Sequence, residues 1–314
     1  QESTILNRNL MAHLASKLRR QYSFSDQVQR HFDDFFRSPN AELTPGPYVA
    51  DPFDMRVFIM DEAPTHLEAL LPPGLRPMPG MGGRYLLTFN FFSGVRSEDP
   101  RAEGRSFSYN ETAIFIPCLG PDLRPGLFVP ELYPDNFLAI TLGREIYGFP
   151  KRFARTRLDD KRKIIDLVIA RRVTLRAQWT DEAPADFRDI FSRQFSGVWQ
   201  RWVPTLARDL GDRLVGWLQR KVVTEQDHTM PVYVRKQTVA DAGTGFIDEL
   251  VKIPFRVSDA GQFAQLEEPS VRLLDDEYFM GGSCVGAFRL TMGLSFDARE
   301  VVRRYKTEPK PGGR

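Results

Sequence analysis

Between residues 55 and 291 the chain is written as short apolar or alternating runs cut off by Gly, Pro, Asn and Asp, a rhythm that excludes most folds. The runs fall at 55–60, 84–92, 106–117, 164–170, 173–179, 230–238, 245–257, 271–274 and 285–291. Period-two alternation over stretches this short marks strands, and most of the gaps between them lack helical patterns. Parallel β-α-β units are disfavoured, because each parallel neighbour needs a long crossover. The expected class is α+β: a central antiparallel β barrel or cone with peripheral helices.

Three regions break the strand rhythm. Ile5, Leu6, Leu10, Leu14 and Leu18, followed by Val28, Phe32, Phe35 and Phe36, fit two amphipathic helices, giving an N-terminal helical arm over residues 1–44 that ends at Pro45-Gly46-Pro47. The body is expected over 45–314. Within it, Phe187, Phe191, Phe195, Trp199, Trp202, Leu206, Leu210, Leu214 and Leu218 place a helical insertion at about 184–223, a pair of helices interrupted at Pro204. A shorter helix fits 136–147, ended by Gly148 and Pro150.

Composition narrows the partners. A formal net charge of +2 with acids and bases interspersed gives no footprint for nucleic acid. No apolar stretch approaches the ~20 residues of a membrane-spanning helix, so no membrane partner and a soluble, cytoplasmic protein are expected. Cys118 and Cys284 lie in apolar strand-like runs, as packed, reduced thiols do. His13, His31, His66 and His228 are scattered, and no metal site is expected. The glycines of 79–83 lack the Lys-Ser/Thr of a phosphate loop, and no serine sits in a nucleophile elbow.

Those exclusions leave a lysine. In Gly143-Arg144-Glu145-Ile146-Tyr147-Gly148-Phe149-Pro150-Lys151 the proline ring fixes the backbone before Lys151 and restricts Phe149, so the amine leaves a rigid, apolar approach. Only a neutral amine attacks a carbonyl, and an ordinary lysine is neutral in roughly one molecule in 2,500 at pH 7. The site is expected to favour the neutral form chiefly by burial, with Phe149 as a shielding wall. Arg152, if ~10 Å away, contributes only about 1.7 kcal/mol at an effective dielectric of ~20. The competing view is a solvated lysine opening the basic string Lys151, Arg152, Arg155 and Arg157.

The Gly143-Arg144-Glu145 and Gly148-Phe149-Pro150-Lys151 segments resemble the signature of the acetoacetate decarboxylase family. Residues 67–75, 109–111, 133–142 and 230–236 resemble further family segments, and 268–305 resemble its C-terminal strand and helix. The resemblance implies that Lys151 forms the Schiff base and that Glu111 is the active-site glutamate. Glu111 shares strand parity with Ala113, Phe115 and Pro117, which suits an inward carboxylate; an edge position facing solvent fits the same residues, and the resemblance favours the former. Arg152 stands where the family has a second lysine, and Asn90 where it has a second glutamate. The arginine expected in the first strand falls around Phe53, with Arg56 the nearest substitute. Arg144 and Glu145 are expected to be structural, in buried ion pairing with other partners, and not substrate contacts.

The implied function is a cofactor-free, Schiff-base-forming lyase acting on a keto acid or related carbonyl compound, decarboxylase-like and homo-oligomeric. A Schiff-base aldolase-dehydratase is the alternative within the family. A catalytically silent barrel that binds a small molecule is the alternative outside it.

Overall fold

The structure, a computed structural model, describes residues 46–79, 81, 83–100, 106–185, 229–239, 246–257, 262–275, 281–297 and 299–305. The expected N-terminal arm and nearly all of the expected helical insertion lie outside these residues.

The strands of the main sheet are β1 (Tyr48–Asp61), β2 (Arg76–Pro77), β3 (Arg84–Ser97), β4 (Ser106–Leu119) and β5 (Pro125–Pro134) from the first half of the chain. Between them and the later strands come β6 (Arg155–Asp159), β7 (Ile164–Ile169), β8 (Arg172–Gln178) and β9 (Glu182–Pro184). The second half supplies β10 (Thr229–Val239), β11 (Phe246–Val257), β12 (Gln262–Leu266), β13 (Ser270–Leu273), β14 (Ser283–Phe296) and β15 (Glu300–Tyr305). Helix is sparse among the described residues: α1 (Pro64–Leu70), α2 (Phe137–Leu142) and one π-helical turn, Gly143–Tyr147.

The large sheet runs β15-β11-β10-β5-β4-β3-β1-β14-β12-β9, with β2 beside β4. Strand β11 also pairs with β14, so the path β11-β10-β5-β4-β3-β1-β14 returns on itself. The expectation of an all-antiparallel sheet is corrected at one seam: β10 pairs with β5 in parallel, Val232 opposite Leu127 and Tyr233 opposite Phe128, and the sheet is mixed. The two strands are far apart in sequence, so no hairpin dictates their relative direction. A second, four-stranded sheet runs β13-β8-β7-β6.

Two cores explain why the central strands read as nearly unbroken apolar runs. Along β1 and β3, Val57, Ile59 and Phe92 point into the ring of strands, while Phe58, Met60, Leu87 and Phe89 point out toward the second sheet and pack with Ile165, Leu167, Leu175 and Trp179. Burial of both faces removes the polar alternation that a half-exposed antiparallel strand shows. Thr112 and Thr156 link β4 to β6 by a hydroxyl hydrogen bond of 2.9 Å in the outer layer.

Strand β5 was not among the expected strands, because prolines at 125, 130 and 134 read as breakers. Pro130 lies where the β4 register jumps from Ile114–Glu131 to Ile116–Phe128, and at such a bulge a missing N–H sacrifices no ladder bond. The expected C-terminal helix is also corrected: residues 300–305 form β15 on the edge of β11, as suits the β-branched pair Val301-Val302 followed by Arg303, Arg304 and Tyr305.

Candidate active site

The approach to Lys151 is built from α2 downward. Asn136 caps the helix, its Oδ1 accepting from Leu138 N at 2.8 Å and Ala139 N at 3.2 Å. The helix widens into the π turn and stops at Gly148, whose φ of +82° is the left-handed region that glycine enters without a Cβ penalty. Gly148 N donates to Arg144 O at 3.1 Å and Phe149 N to Gly143 O at 3.0 Å, closing the end of the turn. Beyond Pro150 the chain lies parallel to β5, Lys151 bridging Leu132 and Arg152 N donating to Leu132 O at 2.9 Å. The Lys151 side chain therefore points back into the ring, across Gly143. A Cβ at position 143 would lie 2.5 Å from Lys151 Cε and 2.6 Å from its Cδ, so only glycine leaves that path open.

Inside the ring Lys151 Nζ stands 2.7 Å from Glu111 Oε2, with both side chains about 95% buried. The contact is a close ion pair that falls short of hydrogen-bond alignment, and no donor aims at Oε2 among the described residues. Glu111 comes from β4 and lies opposite Asn90 of β3, which lies opposite Met55 of β1. Asn90 Oδ1 is a second buried acceptor without a donor among the described residues. The amine is 5.1 Å from the centroid of the Tyr109 ring and 5.6 Å from that of Phe149. Behind Tyr109 the rings of Phe92 and Phe53 follow at 4.4 and 4.6 Å between successive centroids. Burial pushes the Tyr109 phenol well above its ordinary range, so it stays protonated at neutral pH.

These groups line a cavity of about 150 Å³ whose wall is otherwise mostly aliphatic and aromatic. Lys151, Glu111, Asn90, Phe149 and Phe53 all border it. Arg56 and Arg152 do not. Arg56 points to the outer core, paired with Asp54 at 2.9 Å and Asp160 at 3.1 Å beneath the rings of Phe91 and Trp179, so the expectation that it substitutes for a site arginine is corrected. Strand parity is the reason: Met55 and Val57 take the inward positions on either side of it. Arg152 is exposed and sits near Tyr133, on the opposite face of the chain from Lys151. Arg144 and Glu145 are exposed, which corrects the expected buried pairing.

Lys236 caps the π turn: its Nζ donates to Glu145 O at 3.3 Å, and its stem fills the space against Gly148, where a Cβ would meet Lys236 Cδ at 2.6 Å. The sequence reading assigned no role to Gly143, Tyr109 or Lys236. The spacing of Gly143 eight residues before Lys151 was visible, but its meaning depends on the π turn that folds one over the other. Among the described residues no three His, Cys, Asp or Glu side chains gather as metal ligands, and no helix is long and apolar enough to cross a membrane. Cys118 and Cys284 are free thiols.

A lysine delivered through Gly-Phe-Pro onto a buried glutamate is the arrangement that the family signature would produce. Residues 39–190 match the acetoacetate decarboxylase family. Comparison with curated proteins finds no match. Solved structures of acetoacetate decarboxylase and related enzymes share the fold. The acetoacetate decarboxylase of Legionella pneumophila superposes with a TM-score of 0.60 at 17% identity, over 87% of this chain and 96% of that one. An acetoacetate decarboxylase-like enzyme from Sphingomonas wittichii gives 0.58 at 17% identity, over 86% and 97%. The enduracididine biosynthesis enzyme MppR, solved with the condensation product of pyruvate and imidazole 4-carboxaldehyde, gives 0.56 at 14% identity, over 83% and 91%. The family match ends at residue 190, so for β10–β15 the likeness is one of fold.

Proposed function

We propose that the chain is a Schiff-base-forming lyase in which Lys151 attacks the carbonyl carbon of a small keto acid or related carbonyl compound. The observation that carries this reading is the Lys151–Glu111 contact of 2.7 Å on the wall of an apolar cavity. Glu111 takes a proton from the ammonium, and the neutral amine adds to the carbonyl. The resulting hydroxyl takes that proton back and leaves as water. Of the three ammonium hydrogens two depart in the water and one stays on the iminium, whose positive charge faces the Glu111 carboxylate. The iminium supplies the electron sink, so the reading calls for no cofactor.

The next bond to break separates two outcomes. If it leads to a carboxylate, carbon dioxide leaves and the enzyme is decarboxylase-like. If it is an α C–H bond, Glu111 accepts the proton, and the enamine then attacks an aldehyde, as an aldolase-dehydratase does. Neutral Asn90 opposite Glu111, and the condensation product held by MppR on the same fold, favour the second outcome. A cytoplasmic homo-oligomer belongs to the same reading, and sedimentation velocity of the purified chain tests the assembly.

Enamine formation is measurable without knowing the natural substrate. Butanone held in D₂O with the protein is expected to take up deuterium at the α-carbon, read by proton NMR. Lys151→Ala abolishes the catalysed exchange, and Glu111→Gln slows it by about 10²-fold or more. Exchange that persists unchanged in Lys151→Ala removes the lysine from the chemistry and leaves the silent barrel.

A further inference from the structure

The cavity wall restricts which carbonyl compound Lys151 takes, an inference that rests on the imine chemistry proposed above. Among the described residues Glu111 and Lys151 are the only charged side chains on the cavity wall, and they already neutralise each other at 2.7 Å. The remaining wall is mostly hydrocarbon, with Phe53, Met55, Phe92 and Met292 facing the space beyond the pair. Asn90 and Glu111 are cross-strand partners on β3 and β4, and among the described residues Asn90 Oδ1 has no hydrogen-bond donor and Glu111 Oε2 has only the Lys151 ion pair. A carboxylate brings a second negative charge, so here it would meet the Glu111 anion and a mostly hydrocarbon wall, with only neutral donors, the Asn90 amide and tyrosine hydroxyls, to face it. A carbinolamine hydroxyl brings a donor to the same two oxygens. A cavity of about 150 Å³ is of the size at which an apolar void takes up a benzene-sized guest.

We propose that the compound bonded by Lys151 is a neutral ketone or aldehyde with a ring-sized or short-alkyl apolar body, and not a short keto acid. Such a compound has no carboxylate to lose, so its iminium is discharged through the α C–H bond. Glu111 accepts the proton, the bonding pair enters the enamine, and the enamine carbon forms a C–C bond to a second aldehyde. The oxygen of that aldehyde takes up the proton, and water then hydrolyses the regenerated iminium to free Lys151.

The test compares a matched pair, 2-heptanone and 5-oxohexanoate, which carry the same methyl ketone and differ in the charge at the far end. Each is incubated with the full chain and cyanoborohydride, and the initial rate of adduct formation at Lys151 is read by peptide mass spectrometry. The neutral ketone is expected to label at least about tenfold faster. Equal or faster labelling by 5-oxohexanoate overturns the proposal while leaving the Schiff-base reading intact. No adduct at Lys151 with either compound removes that reading and the proposal with it. Met55→Arg puts a cation in the cross-strand row of Asn90 and Glu111 and is expected to turn the preference toward the acid. A folded Met55→Arg protein with the wild-type preference excludes wall charge as the determinant and so also overturns the proposal; if this variant does not fold, the wild-type ratio decides alone.

Discussion

The hydrogen that takes the place of a side chain at Gly143 leaves open the channel through which the Lys151 stem reaches Glu111. An added methyl at 2.5 Å from Cε cannot be absorbed without moving the lysine, and displacing a reacting group by about 1 Å can cost about 10²-fold in rate. Gly143→Ala is therefore expected to slow covalent trapping by 10- to 100-fold while thermal unfolding, followed by circular dichroism, shows a folded protein. A labelling rate equal to wild type would mean that the stem has another route. The wall and the neighbouring charge separate in the same assay. Phe149, buried and 5.6 Å from the amine, shields it, whereas Arg152 is exposed and screened by salt. Arg152→Gln is expected to change the labelling rate by less than about threefold and Phe149→Ser to lower it by more; the reverse ranking would assign the lysine's activation to Arg152. Lys151 stood out by its Gly-Phe-Pro approach, whereas the parity that Glu111 shares with Ala113 and Phe115 fitted an edge position equally, and only the family resemblance pointed inward. Arg56 was misjudged through proximity in sequence to Phe53: along a strand, three positions away is the opposite face.

The α2–π-turn unit aims the lysine through hydrogen bonds that are local in sequence, and so was largely readable. Asn136 before an apolar run and Gly148 before Pro150 are ordinary start and stop signals, and the helix lies between them. Asn136→Ala removes the acceptor for two helix N–H groups and is expected to cost about 1 kcal/mol in urea unfolding; a change within error would show that the cap contributes nothing. Gly148→Ala combines a positive φ with a clash against the Lys236 stem, and about 1–2 kcal/mol is expected from the backbone conformation alone. The π turn itself had no signature, and the Lys236 that caps it comes from β10, eighty-eight residues beyond Gly148 along the chain. Strand β5 was hidden for a similar reason, because Pro130 is tolerated at a bulge against β4 and Pro125 and Pro134 stand at the strand's two ends.

At the scale of the whole molecule, nine short apolar runs indicated a strand-rich α+β body, but pairing order lies beyond local pattern. That β10 joins β5 in parallel, and that β11 reaches β14 to return the path on itself, are contacts between distant segments. Strands β10 and β11 are tied by Arg235 and Asp248, with Nε donating to Oδ1 at 3.0 Å. The Arg235 guanidinium holds the Asp248 carboxyl below its ordinary range. A carboxyl depressed on folding adds stability above its unfolded pKa of ~3.9 and loses it as pH falls through that value toward the folded one. Arg235→Gln is thus expected to begin acid unfolding at a higher pH, followed by circular dichroism between pH 6 and 2; an unshifted acid limb would show that the pair is decoupled from unfolding. Burial of Asp135 acts in the opposite sense, raising its carboxyl so that its ionisation costs stability as pH rises. The variant isolates one of these two opposed contributions.

The central claim is a covalent bond at one nitrogen, and peptide mass mapping after borohydride reduction reads that bond. With a carbonyl compound present, the reduced adduct is expected on Lys151 alone and absent from Lys151→Ala. Adducts spread over other lysines, or labelling undiminished in Lys151→Ala, would contradict the account.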